Sequence, residues 1–273
     1  MIEPALMDGL LKQVIAEREP WIWRSGRVRI STGHRRFERL VDWVIREYSD
    51  ASKRRWYDPL HIAYSTSFAL DLVEAGEADE WLLPGILLHD MGYFAITDKD
   101  AWNRPDVRVT HMQEGAAIAA EVLSQHCFAP HEIGHVVGLV ATHDNPYLGY
   151  ALTDVRRLAL RDCDRVWVMH LVSFYKDWSN KKPPDPNCDV RRLLAIRRVH
   201  FWGVAAAQAD ARWGVDAEIA AEGAERVEVP YLSTTRTKID RLFERRRGEL
   251  NDQRLWEDGG AFLEYVRQAI VDE

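Results

Sequence analysis

Four histidines and two aspartates carry most of the chemical potential of this chain: His61, the adjacent pair His89 and Asp90, then His111, His143 and Asp164. Neutral imidazoles and carboxylates together suit zinc, iron or manganese, and a carboxylate has two oxygens with which to bridge two ions. In the hydrophobic pattern each of the six falls at a helix terminus or about one turn inside a helix. Asp162 competes with Asp164 for the last position, because residues two apart on a helix point about 200° from one another. Asp164 is preferred, since its helical face continues through Val168, Leu171 and Tyr175 toward an apolar interior.

A second pattern lies in the same stretch. The run His131 to Gly138 reads HEIGHVVG, which matches the H-E-x-x-H of zinc proteases and the glycine after it. The match then stops, because the position of a third histidine is Ala141, and Pro130 puts His131 in the first turn of its helix. His131 and His135 are therefore read as surface or structural residues. No phosphate-binding G-x-x-x-x-G-K-[ST] loop and no dinucleotide fingerprint is present.

The elements that must position these residues are helical. Apolar residues recur at helical spacing and nowhere alternate strictly over a useful length, so the chain is expected to be all-α. Expected helices run from Pro4 to Glu19, from Arg36 to Tyr48, from Asp58 to about Glu74 with Asp58 as N-cap, and from Glu80 to Met91 with Gly92 as C-terminal cap. Tyr93 to Val109 reads as a loop of 17 residues. Thr110 and Gln113 form a capping-box pattern that puts His111 at the first helical position. Further helices are expected from Pro130 to His143, through Val155 to Tyr175, from Val190 to Trp213, from Lys238 to Arg247 and from Gly260 to Val271. The proline-rich Lys181 to Asn187 breaks the chain. The eleven tryptophans are assigned to packing.

Composition narrows the partners. The chain has 273 residues and a formal charge of −7, with acids and bases intermixed, so no footprint for duplex DNA or an anionic membrane is expected. The charged runs near Arg191 to Arg198 and Lys238 to Arg247 are read as solvated helix faces. Cys127, Cys163 and Cys188 form no C-x-x-C pair, which argues against a disulfide framework or thiolate zinc site and points to a reducing cytoplasm. No apolar run approaches the roughly 20 residues of a membrane helix, and the acidic residues near Met1 are unlike a secretory signal.

Taken together, "DPLHIAYS", "LLPGILLHDMGY", "THMQEGAAIA", "VATHDN" and "RDCDRVW" make the segment from Asp58 to about Trp167 resemble the HD superfamily of metal-dependent phosphohydrolases. The resemblance implies an HD-domain helical bundle over residues 51–180, with an N-terminal helical extension over 1–50 and a C-terminal one over 181–273. It implies that His61, His89, Asp90 and Asp164 hold one metal ion, that His111 and His143 complete a second site, and that Asp90 bridges. Asp164 also directly precedes Arg165, as the aspartate of the resembling motif precedes a basic residue.

The implied cofactor is a pair of divalent or mixed-valent transition metal ions, iron or manganese before zinc, cobalt or nickel. The implied reaction is hydrolysis of a phosphate ester or anhydride in a small molecule or nucleotide, with Asp90 holding the ions and orienting the nucleophile. The same ligand set also resembles di-iron members that cleave C–C or C–P bonds with O₂. The interval of 21 residues between His143 and Asp164 favours the hydrolases. Many relatives carry a lysine where this chain has Tyr93. Substrate contacts are therefore expected from Tyr93, Lys99 and Arg108, with Arg104 as a further candidate, in a loop that covers the site as a lid.

Overall fold

The computed structural model describes residues 2–22, 37–98, 101, 104–180 and 189–272. Among them there are 14 α-helices, three 3₁₀ turns and no strand, so the protein is all-α. Lys99 and Asn103 lie outside the described residues, as do Cys188 and the segment Lys181 to Asn187.

The chain divides into two compact units, Glu17–Trp167 and Val168–Glu273 together with Met1–Ala16. All six chemistry-bearing residues belong to the first. Its helices are α1 (Pro4–Ile22) in its last turns, α2 (Glu38–Ser49), α3 (Asp58–Glu74), α4 (Leu82–Leu88), α5 (Pro105–Gln125), α6 (Pro130–Val140) and α7 (Val155–Trp167). Helix α3 is buried on almost every side, from Asp58 through Thr66 and on to Leu72, which explains why its sequence shows no polar face.

Helix α4, LLPGILL, is buried along its whole length. Pro84 is tolerated because it sits in the first turn, where backbone N–H groups have no intrahelical acceptor. Gly85 gives the helix its close neighbours: a Cβ there would meet Leu160 Cδ1 of α7 at 2.9 Å and Leu139 Cδ1 of α6 at 3.1 Å. A small residue at the centre of α4 thus brings together the three helices that lead to His89 and Asp90, to His143 and to Asp164.

Several expected boundaries move. Helix α4 ends at Leu88, and Gly92 is not its cap but part of a 3₁₀ turn, Met91–Ala95. The long loop is shorter than expected, because α5 begins at Pro105. Proline at the first helical position carries more weight there than the Thr110 capping pattern. Thr110 instead donates its hydroxyl to the Asp106 carbonyl one turn earlier, and His111 lies well inside the helix. Helix α3 starts at Asp58 itself, with Tyr57 before it. His143 stands just past the end of α6.

The second unit contains α8 (Leu171–Ser179), α9 (Val190–Trp202), α10 (Val204–Gln208), α11 (Ala217–Ala224), α12 (Ser233–Asn251), α13 (Gln253–Glu257) and α14 (Gly259–Asp272). The expected run from Val155 to Tyr175 is two helices, and that from Val190 to Trp213 is broken at Gly203, whose φ is +76°. Helix α11 went unpredicted. It packs Ile219 into a core with Ala195, Ile196, Val199 and Ala207. Gly223 allows the approach, since a Cβ would lie 2.5 Å from that of Val199.

Candidate metal centre

The six residues arrive from five elements of the first unit. His61 is one turn inside α3, His89 and Asp90 follow the end of α4, His111 is in α5, His143 follows α6, and Asp164 is in α7. His61, His89 and Asp90 form one group able to hold a metal ion, and Asp90, His111 and His143 form another; all five are buried. Asp90 belongs to both groups.

Asp90 spans the two groups. Its Oδ1 is 3.6 Å from His89 Nε2, 3.8 Å from His111 Nε2 and 3.7 Å from His143 Nε2, while Oδ2 is 3.3 Å from His61 Nδ1. Asp164 completes the arrangement on one side, with Oδ1 3.2 Å from His61 Nε2 and 3.6 Å from His89 Nε2. Asp164, not Asp162, faces these rings. His61 therefore lies between two carboxylates, and its ring stacks on Trp167 with centroids 5.1 Å apart.

Whether the residues fit a metal can be tested on their hydrogen bonds. His89 Nδ1 and His143 Nδ1 each lie 2.8 Å from a carbonyl of the preceding turn, Ile86 and Val140, and His111 Nδ1 lies 3.4 Å from Val107 O. Donation from Nδ1 leaves Nε2 as the ring atom turned into the site, the orientation that metal-ligating histidines adopt once Nε2 is deprotonated. His89 Nε2 and His61 Nδ1 are buried without a hydrogen-bond partner. The donor set fits a cation, and the residues could hold metal ions.

The electrostatics agree with that fit. Burial opposes a charge on His89, but Asp90 and Asp164 outweigh it and raise its pKa to about 9. Burial, reinforced by His143, lowers that of His111 to about 4. Burial would raise the Asp90 carboxyl, yet His89, Arg55, His143 and His61 hold it well below the usual range. Asp164 is held low against burial by His61, His89 and Arg161. One half of the site thus attracts a positive charge, and the other keeps its imidazole neutral.

Further residues complete the site, and sequence reasoning did not single them out. Buried Arg55 donates to Asp90 Oδ2 at 2.5 Å and to Asp58 Oδ1 at 2.7 Å, and lies 3.9 Å over the Tyr93 ring. Its only signal was the three-residue spacing to Asp58. Asp144 is a buried carboxylate paired with both Arg108 and Arg161, and its Oδ2 is 3.7 Å from His111 Nε2. The second His-Asp dipeptide, in "HDN", was the clue to it. Arg161 also donates to Asp164 Oδ2 at 2.7 Å, one turn along α7.

The expected substrate contacts are placed differently. Tyr93 is only 3% exposed and stacks on His111 with ring centroids 4.4 Å apart, so it backs a donor residue and does not line a loop. Arg108 is a buried residue of α5, not a loop residue. Arg104 is exposed and pairs with Asp106, and Lys99 lies outside the described residues. In the protease-like run, His131 is exposed and His135 approaches Arg156 at 2.6 Å; neither belongs to a metal-holding group.

No family model, curated protein or solved structure matches this chain.

Proposed function

We propose that the protein is a metal-dependent phosphohydrolase that cleaves a phosphate ester or anhydride at two ions shared through Asp90. The observation that carries the reading is the position of Asp90, whose carboxylate belongs to both donor groups. Held by these groups, two ions would supply a nucleophile at neutral pH and neutralise the charge that grows on a phosphoryl group. The HD-type order of the six residues supports the same chemistry.

The chain's own residues prepare the site for this task. Backbone carbonyls of Ile86 and Val140 hold the His89 and His143 rings so that Nε2 points inward. Arg55 fixes the Asp90 carboxylate, and Asp58 balances the guanidinium charge. Arg108 and Arg161, clamped on Asp144, put fixed positive charge beside the donors, which suits an anionic substrate in a site largely closed to water. Those buried cations favour phosphoryl transfer over oxygenase cleavage of an uncharged polyol.

The test is a panel of nucleotides, phosphomonoesters and phosphodiesters assayed with Mn²⁺, Fe²⁺ or Co²⁺. Metal-dependent phosphate release that Asp90→Ala abolishes is expected. Inactivity across the panel, with O₂ uptake on a phosphonate or a polyol, would replace this reading with the oxygenase.

A further inference from the structure

The geometry points to an anion cradle beside the metal donors, formed by Arg108, Arg161 and Arg165 and capped by Tyr147, that takes the second phosphoryl group of a diphosphate substrate. For what binds at the donors, this inference rests on the phosphoryl reading above.

Three guanidiniums converge there from two helices. Arg108 precedes His111 by three residues on α5, and Arg161 and Arg165 flank Asp164 on α7, four residues apart and hence on one face. All three are at most 5% exposed. Asp144 holds Arg108 and Arg161 in place, and Arg161 reaches on to Asp164, so the cluster touches the donor residues directly. Planar guanidiniums present forked donors that match phosphate oxygens, and several together recognise the group more specifically than a lysine would.

Tyr147 occupies the place where such a group would sit. Its ring centroid is 3.6 Å from the Arg108 guanidinium carbon, 4.5 Å from that of Arg161 and 5.8 Å from that of Arg165. Its hydroxyl oxygen accepts from Arg165 at 2.7 Å, as a phosphate oxygen would. The ring can leave when an anion takes over its contacts with the guanidiniums, because Tyr147 lies on a single 3₁₀ turn, Asn145–Leu148, that contains no buried residue. Gly149 follows at φ +82°, and Tyr150 beyond it is 64% exposed. The second phosphoryl group that enters the cradle displaces the phenol, and the first lies against the donor groups.

Calorimetric titration of pyrophosphate and orthophosphate, each with Mn²⁺ and with EDTA, tests this. Wild type should prefer pyrophosphate. Arg165→Gln should weaken pyrophosphate about tenfold, the worth of one charge-assisted hydrogen bond, while orthophosphate changes less than about twofold. Tyr147→Ala should bind pyrophosphate more tightly than wild type, since a competitor is gone. Equal weakening of both anions by Arg165→Gln, or no pyrophosphate preference in wild type, overturns the cradle. Weaker pyrophosphate binding by Tyr147→Ala overturns the cap. A wild type that holds no Mn²⁺, but whose pyrophosphate binding in EDTA still depends on Arg165, keeps the cradle and removes the metal reading. Bound Mn²⁺ with pyrophosphate binding indifferent to Arg165 does the reverse.

Discussion

The Nε2 atoms of His111 and His143 face one another across 3.1 Å, while each ring turns Nδ1 toward a carbonyl of its own chain segment. The contact closes through an N–H···N hydrogen bond when one ring carries its proton on Nε2, or through a cation when neither does. With Asp90, the pair makes the second donor group one that could hold a metal ion.

That arrangement predicts a stoichiometry. His111→Ala and His143→Ala should each lose one ion per chain and keep the other, whereas Asp90→Ala should lose both. His131→Ala and His135→Ala should keep both. Elemental analysis of protein loaded with Mn²⁺ or Fe²⁺ and then desalted reads the count. Loss of metal in the last two variants alone would move the site to the protease-like motif.

Arg55 is expected to matter for stability through the two carboxylates it pairs. Arg55→Met leaves Asp58 and Asp90 buried with a partner removed, a change that costs about 3–5 kcal/mol. Urea unfolding of the metal-free protein should show it. Added Mn²⁺ should recover part of the loss, because a metal ion relieves Asp90. A variant as stable as wild type without metal would show that the ion pair contributes little.

Gly92 predicts a positional defect. A Cβ at this residue would lie 1.8 Å from the His111 carbonyl oxygen and 2.7 Å from Gly115 N, so backbone must move. Gly92→Ala should destabilise the protein by about 1–3 kcal/mol or more. It should also weaken the ion held by His111 and His143 more than the one held by His61 and His89. Equal affinity at both sites in competition with a chelator would contradict this.

The pH dependence of the metal-free protein follows from two opposite shifts. His89 is raised from 6.5 to about 9, so its contribution to stability is fully present below 6.5 and is lost as pH rises through 9. His111 is lowered from 6.5 to about 4, so its contribution is present above 6.5 and is lost as pH falls through 4. Stability without metal should therefore be greatest near pH 6.5 and fall on both sides. With metal bound, the alkaline decline should disappear, since His89 then needs no proton. Thermal unfolding across pH, with and without Mn²⁺, measures both limbs.

Much of this was legible in the sequence because it depends on local order. Helical spacing of apolar residues, Pro59 and Pro130 near helix starts, and the absence of alternation are short-range signals, and they identified an all-α chain. The succession of histidines and aspartates likewise named the residues that meet, because donor chemistry is a property of side-chain type. Boundaries were less legible where two local signals competed. Thr110 resembled a cap, but Pro105 opened the helix earlier, which moved Arg108 out of a loop and into a buried ion pair.

Tertiary structure alone decided how the donors are held and charged. Arg55 stands 35 residues from Asp90, and Arg108 stands 36 from Asp144. No local pattern links such pairs, since each forms only when separate helices pack. The same holds for Gly85 and Gly92, ordinary turn or helix residues by sequence, whose missing side chains let α6, α7 and α5 close on the segment that carries His89 and Asp90. Residue type determines which groups can bind a cation. The distance between helices, which packing alone sets, determines whether they do so together.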